Sequence, residues 1–503
     1  MQFKHNLKKL IFSVFLLLFV VTLTFFYIFE QNYSMGVRII PEEKAQQYDT
    51  FVYSDYSDYI LYNDYPVAVD KHTRTIYLCQ SEEFCFQKFF YALSGKLELT
   101  LDDHEMFFVK DKNFKNLANA VTNGETFRLI IAQKNSSIYM EYNVAITTLP
   151  IITMNGSYAY TDKSNRNLYF GNITVYSSKN PETQHYSAVD SITYWRNRGD
   201  NNFKKKSYKI SLKDENIINF DEEFLELGKD DDWLLNSMKM DDTFVKERLI
   251  MQLWNDLAQQ SDYNRKMSYG EFCELIINGE YKGLYMLQRR VDEKYLALGE
   301  NDILSKGGDV YVTVPIDDDV ELIYSPFEDE DYTYSLINQF YSLANCDKMN
   351  LNNFIDINIF LQFAMLNDNY SYKNIVYIMD YLEENSYEMS LLLWDTDISF
   401  IVENTSDLYQ LYFRRETEAM KEVYPELDVL TAQRWFELRE GPLSYEHIEE
   451  LIIDIYTEFS NSGAIARDYE VWGHYHKDDS LEKLFSTVKT RLEFVDGYYS
   501  QFL

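Results

Sequence analysis

Asp368, Asn374, Asp395 and Asp397 combine residue types and spacings that suit metal-assisted chemistry. Asp368 and Asn374 precede an apolar run at 375–381, and Asp395 and Asp397 follow a second run at 388–394. Both runs are rich in β-branched and aromatic residues, and Glu383, Glu384, Asn385 and Ser386 between them read as a turn. The pattern predicts an antiparallel hairpin. In such a pair the start of one strand lies beside the end of the other, so Asn374 neighbours Asp395 and Asp368 stands a short loop away. Convergent oxygen ligands of this kind are what a hard divalent cation on a phosphate needs. Asp397 either supplements Asp395 or caps the next turn.

A second set of candidates lies upstream. A strand at 192–195 runs into Arg198 and Gly199, and a lysine-rich strand is expected to begin at Lys204. A strand, a loop with Gly and a basic strand can fold over a polyphosphate, although a plain basic hairpin has the same residues. Alternation chooses among the lysines. Ile210 and Leu212 should face the core, which puts Tyr208 and Lys206 on their side and Lys205 and Lys209 on the other. Lys206 is therefore the expected phosphate lysine. The helix that follows Asp242 buries Ile250, Leu253, Trp254 and Leu257, and Glu247 borders that stripe. It is placed to pair with Lys206, or else to complement the helix dipole as a first-turn acid.

The elements that position these residues must come from a chain of 503 residues that is 46% hydrophobic and 17% aromatic, enough for two or three domains. The formal charge of −34 argues against nucleic acid as a partner and fits a basic protein substrate, while solubility alone accounts for it as well. Residues 10–29 form an apolar run behind Lys4, Lys8 and Lys9. This predicts a single transmembrane anchor, with 1–9 in the cytoplasm and everything after Glu30 exported; a cleaved signal peptide is the alternative, without a small-x-small site. Short strands with turn signals from 36 to 150 predict an all-β, sandwich-like module. A mixed region from 151 to 503 ends in packing helices. Cys79 and Cys85 are near enough in sequence to be bridged, and four isolated thiols are equally consistent. His185, His447, His474 and His476 lack zinc spacing.

The ordered segments RNRGDNNFKKKSYKISL, LGKDDDWLLNSMKMDDTFVKERL, LIINGEYKGLYMLQRRVDEKYL, the 368–374 loop and LLLWDTDISF resemble the CotH family of spore-coat-type proteins from about 151 to the C-terminus. The resemblance implies an α+β, atypical protein-kinase-like fold of two lobes. It implies ATP and Mg2+ as cofactors and transfer of the γ-phosphoryl group to Ser or Thr of a protein. By matching motifs Asp368 is the catalytic aspartate, Asn374 and Asp395 are metal ligands, and Arg198 and Gly199 belong to the loop over the phosphates. Lys206 takes the nucleotide-phosphate role, with Lys205 as the alternative. Arg289 stands where relatives often carry an acid, and the Asp368 to Asn374 interval is one residue longer than the common kinase spacing. A pseudokinase that binds or scaffolds outside the membrane, and nucleotidyl transfer, are the alternative readings.

Overall fold

The computed structural model describes residues 37–62, 64–85, 99–110, 116–161, 167–178, 185–188, 192–198, 203–307, 320–341, 343–370, 374–383, 386–475 and 479–503. The expected anchor at 10–29, Gly199 and His476 lie outside these residues. Among the described residues no helix is long and apolar enough to cross a membrane.

The N-terminal module is built on one seven-stranded sheet. Its strands run Val37–Ile40, His104–Val109, Thr126–Gln133, Ile138–Thr147, Thr75–Cys79 and Ala68–Asp70 in spatial order, with Thr50–Phe51 also beside Ile138–Thr147. Phe127, Leu129 and Ile131 enter one core and Ile130 and Ala132 another, as the two-residue period dictates. The all-β sandwich expectation needs correction. Three pairings are parallel, and short helices at Glu42–Ala45, Glu82–Cys85 and Leu117–Thr122 accompany them. A small sheet of Leu61–Tyr62, Tyr65–Pro66 and Leu99–Thr100 stands where a full second layer was expected. Helices of four to six residues show no 3.6-residue period, which is why the sequence pattern reads as all-β. All four cysteines are free and buried, and the Cys79 thiol donates to Ser178 Oγ at 3.4 Å.

The pairing changes at residue 150. Strands β1 (Ile151–Thr161), β2 (Asn167–Ser177), β3 (His185–Ala188), β4 (Ile192–Arg198), β5 (Ser207–Lys213), β6 (Asp232–Asn236), β7 (Gly270–Ile277) and β8 (Glu280–Arg289) form a second sheet. Their order is β1-β7-β8-β6-β5-β4-β2-β3, and β1 also pairs with β2, so seven of them close into a ring. Ile152, Ile173, Trp195, Ile210, Trp233 and Leu275 fill its interior. Gly156 opposes Gly171 where β1 crosses β2, and a Cβ on either would run into the other strand's backbone.

Helix α1 (Lys246–Ala258) links β6 to β7 and packs away from the ring interior. A four-stranded sheet follows, made of β9 (Ile303–Gly307), β10 (Val320–Tyr324), β11 (Ile375–Glu383) and β12 (Ser386–Leu393) in the order β10-β9-β11-β12. Helix α2 (Leu351–Ala364) lies against β12, where Asn353 donates to Leu391 O at 3.0 Å and accepts from Leu391 N at 2.6 Å. The chain ends in α3 (Leu427–Arg439), α4 (Tyr445–Ser460), α5 (Ala464–Trp472) and α6 (Leu481–Tyr499). Ile250, Trp254, Phe360, Leu391, Trp435 and Val488 share one core. The fold is α+β, and one core holds both the Glu247 helix and the β11–β12 hairpin.

Candidate active site

The hairpin register places Ile375 opposite Leu393, and Trp394 N donates to Asn374 O at 3.0 Å. Asn374 and Asp395 are therefore neighbours across the strand ends. Both adopt left-handed backbone conformations at φ 56°, which Asn and Asp tolerate better than most residues and which commonly mark functional positions. The buried side chain of Asn369 fixes this arrangement. Its Nδ2 donates to Asn374 O at 2.9 Å and to Trp394 O at 2.8 Å, so one amide clamps the carbonyls at both strand ends. Asn374 Nδ2 in turn donates to Asp368 Oδ2 at 3.0 Å. The longer interval between these two residues still lets their side chains meet.

Glu247, in the first turn of α1, is buried and accepts from Asn236 Nδ2 at 2.5 Å. Burial holds its carboxyl well above the usual range; the charges of Asp397 and Asp395 push it further up, and Arg198 opposes them. Asp397 is pushed up to about 7 by burial and then by Asp395, with Lys239 pulling the other way and Asp241 and Asp368 adding to the rise. Glu247 of α1 and Asp395, just past β12, thus line one cavity with Arg198, and the charges of Asp368 and Lys239 reach the neighbouring Asp397. Arg198, at the end of β4, lies 4.8 Å from the centroid of the Trp394 ring, which ties the ring of strands to the hairpin.

The lysines depart from expectation. The β4–β5 ladder ends at Arg198 opposite Ser207, so Lys206 precedes the strand and alternation does not orient it. Tyr208, Ile210 and Leu212 do face the interior. Lys206 is half-buried, and its carbonyl accepts from Tyr285 Oη at 2.8 Å. In place of the expected Lys206 pairing, Glu247 is met by Asn236 and the charge of Arg198. Lys205 does not point outward. It is buried, with Nζ at 2.6 Å from Asp468 Oδ1 and 2.8 Å from Leu284 O, so its charge is committed to α5. Arg289 is committed as well, bonding the fully buried Asp230 at 2.7 Å. Asn236, Lys239 and the clamp by Asn369 were not assigned from sequence. Asn369 was visible there only as an amide beside Asp368.

Among the described residues no three His, Cys, Asp or Glu side chains form a ready metal cage. Magnesium rarely uses one: it binds through one or two carboxylates together with waters and substrate phosphates. The donor set fits that use, being all oxygen, and the crowding that raises Glu247 and Asp397 is what an added cation relieves. Beside it a cavity of about 10 Å³ is lined by Arg198, Glu247, Ser268, Gln288, Trp394 and Asp395. Among the described residues, buried Gln288 Oε1 and Trp394 Nε1 have no hydrogen-bond partner.

A family model described as CotH kinase protein matches residues 195–495, from β4 into α6. The match spans more than half of the chain, and the chain belongs to the CotH family. No curated protein matches it.

Proposed function

We propose that this chain is a two-lobed, kinase-like enzyme that transfers the γ-phosphoryl group of ATP to Ser or Thr of a protein. The observation that carries this reading is the Asn369 clamp, which sets Asp368, Asn374 and Asp395 together at the mouth of one hairpin. The succession β4, β5, β6, α1, β7, β8 supports it, because a kinase small lobe likewise sets a helix carboxylate among strands. Glu247 is that carboxylate. Kinases pair it with a lysine; here Asn236 and Arg198 occupy its surroundings.

Asp368 would orient the acceptor hydroxyl and take its proton as the hydroxyl oxygen bonds to the γ-phosphorus. The bond from that phosphorus to the β–γ bridging oxygen breaks, and ADP leaves. Asp395 and Asn374, with Asp397, would hold magnesium, whose chemistry is to neutralise charge on the phosphates. Arg198 and Lys206 would add positive charge from the small lobe. Phosphoryl transfer needs little beyond such positioning and charge stabilisation. The apolar run at 10–29 would anchor the enzyme in the cell membrane, with both domains outside; protease accessibility of the intact cell tests that placement.

The exported segment incubated with γ-labelled and α-labelled ATP separates the chemistries. Label from γ alone, lost in Asp368→Ala and Asp395→Ala, is the expected result; label from α would mean nucleotidyl transfer. A non-catalytic scaffold is the competing reading, favoured by the small size of the cavity beside Asp395. Neither label together with no binding of ATP would establish it.

A further inference from the structure

The loop that carries Asp368 is held from two sides. On one side the Asn369 amide reaches the hairpin ends at Asn374 O and Trp394 O. On the other, the Asn369 carbonyl accepts from Arg414 Nη1 at 3.1 Å. Arg414 belongs to neither the loop nor the hairpin. It stands at the far end of the segment that leaves Asp397, just before the short helix Thr417–Val423.

Arg414 is only 1% exposed. Its Nη2 donates to Tyr377 Oη on β11 at 2.7 Å and to Glu416 Oε1 at 3.0 Å. Its backbone is fastened as well. Asn358 Oδ1 on α2 accepts from Arg414 N at 3.1 Å, and one turn further along α2 the Gln362 amide bonds both main-chain groups of Tyr412. The same helix holds β12 through Asn353, so one element fixes both the hairpin and the base from which Arg414 reaches the loop. A planar guanidinium bridges several acceptors in set directions, which a flexible ammonium does not. An ion pair with Glu416 alone would account for a buried arginine. Here the other donors are turned to Asn369, next to Asp368, and to Tyr377, near the start of β11.

We propose that Arg414 is a positioning residue for phosphoryl transfer: through the Asn369 carbonyl it sets where Asp368 stands relative to Asn374 and Asp395. The proposal rests on the phosphoryl-transfer reading above and adds a condition to it. The segment between Asp397 and Arg414 must be seated before Asp368 is aimed. The metal aspartates and the aspartate that orients the acceptor hydroxyl are thereby joined twice, once through the hairpin and once through the chain that follows it. Displacing a catalytic group by about 1 Å is enough to slow a reaction about a hundredfold.

Arg414→Lys in the full chain tests it, assayed with γ-labelled ATP, magnesium and myelin basic protein as acceptor, below the unfolding transition of each variant. The kcat should fall about tenfold to a hundredfold, while KM for ATP stays within about twofold, because Asn374 and Asp395 keep the Asn369 clamp. Tyr377→Phe removes one acceptor and leaves the Asn369 bond, and should give a smaller loss of the same kind. Arg467→Lys is the comparison. That arginine is also buried, but its bonds go to Glu274 and Ser462 O, so its loss should lower the unfolding midpoint and leave kcat of the folded molecule unchanged. Hydrogen–deuterium exchange over 366–370 should quicken in Arg414→Lys and not in Arg467→Lys. Undiminished kcat in both Arg414→Lys and Tyr377→Phe overturns the proposal, as does a loss that Arg467→Lys matches. No label from the unsubstituted chain sinks the transfer reading instead; unchanged exchange over 366–370 then overturns the hold of Arg414 on the loop as well.

Discussion

The protein buries charge in two places by opposite rules. Where β7 and β8 meet α5, Arg467 Nε and Nη2 bond the fully buried Glu274 carboxylate at 2.9 and 2.7 Å, and Tyr281 Oη donates to the same group. Lys205 and Asp468 pair beside them, and Leu284 N completes the Asp468 shell at 2.8 Å. Every acid in that seam has a base. In the cleft, Glu247, Asp395 and Asp397 gather against Arg198 and Lys239, and two of the acids are driven toward their protonated forms. Matched pairs spend their charge on holding elements together. Unmatched carboxylates have charge left for something that arrives from outside, so perturbation without compensation marks the site.

Four measurements break or sharpen this contrast. Arg467→Met leaves Glu274 buried without its partner and should cost about 3–5 kcal/mol in chemical denaturation, with Glu274→Gln in the same chain restoring part of it. Asp395→Ala should do the reverse, cutting phosphoryl transfer by about two to three orders of magnitude while the midpoint of thermal unfolding holds or rises. Asn369→Ala removes the amide donor from Trp394 O and leaves Asn374 O with Trp394 N alone; a loss of about 1–3 kcal/mol is expected, together with weaker metal-dependent nucleotide binding by calorimetry.

The fourth measurement concerns pH. Asp397 rises from 3.8 to about 7 in the folded chain, so the folded state binds the proton more tightly than the unfolded state does. The contribution of this group to stability is therefore fully present below the unfolded value and is lost as pH climbs through about 7. Magnesium needs the carboxylate, so metal affinity should rise over the same interval and level off above it. A metal affinity that falls with rising pH would remove Asp397 from the ligand set.

The cleft was legible in the sequence where local geometry decides it. Strand alternation and a short turn bring Asn374 to Asp395, and the spacing of Ile250, Leu253, Trp254 and Leu257 gives the buried stripe of α1. The lysines were not legible, because alternation orients residues only once the ladder has begun, and it begins at Ser207. Lys205 finds Asp468 across 263 positions, and no local pattern carries that information. The module shows the same limit. Its alternating strands were readable, but parallel neighbours such as Thr75–Cys79 and Ile138–Thr147 are set by the path of the chain between them.

The α5 seam also constrains the order in which the chain can be completed. Glu274 waits 193 positions for Arg467, so the wall of the strand ring lacks its counter-charge until residue 467 has been added. Such long-range closure slows folding and prolongs the exposure of unfinished surfaces. A chain that stops before residue 464 lacks α5 and with it the partner of Glu274. The late helices thereby finish an earlier lobe: the strands that carry Arg198 over the hairpin are complete only once α5 has joined them.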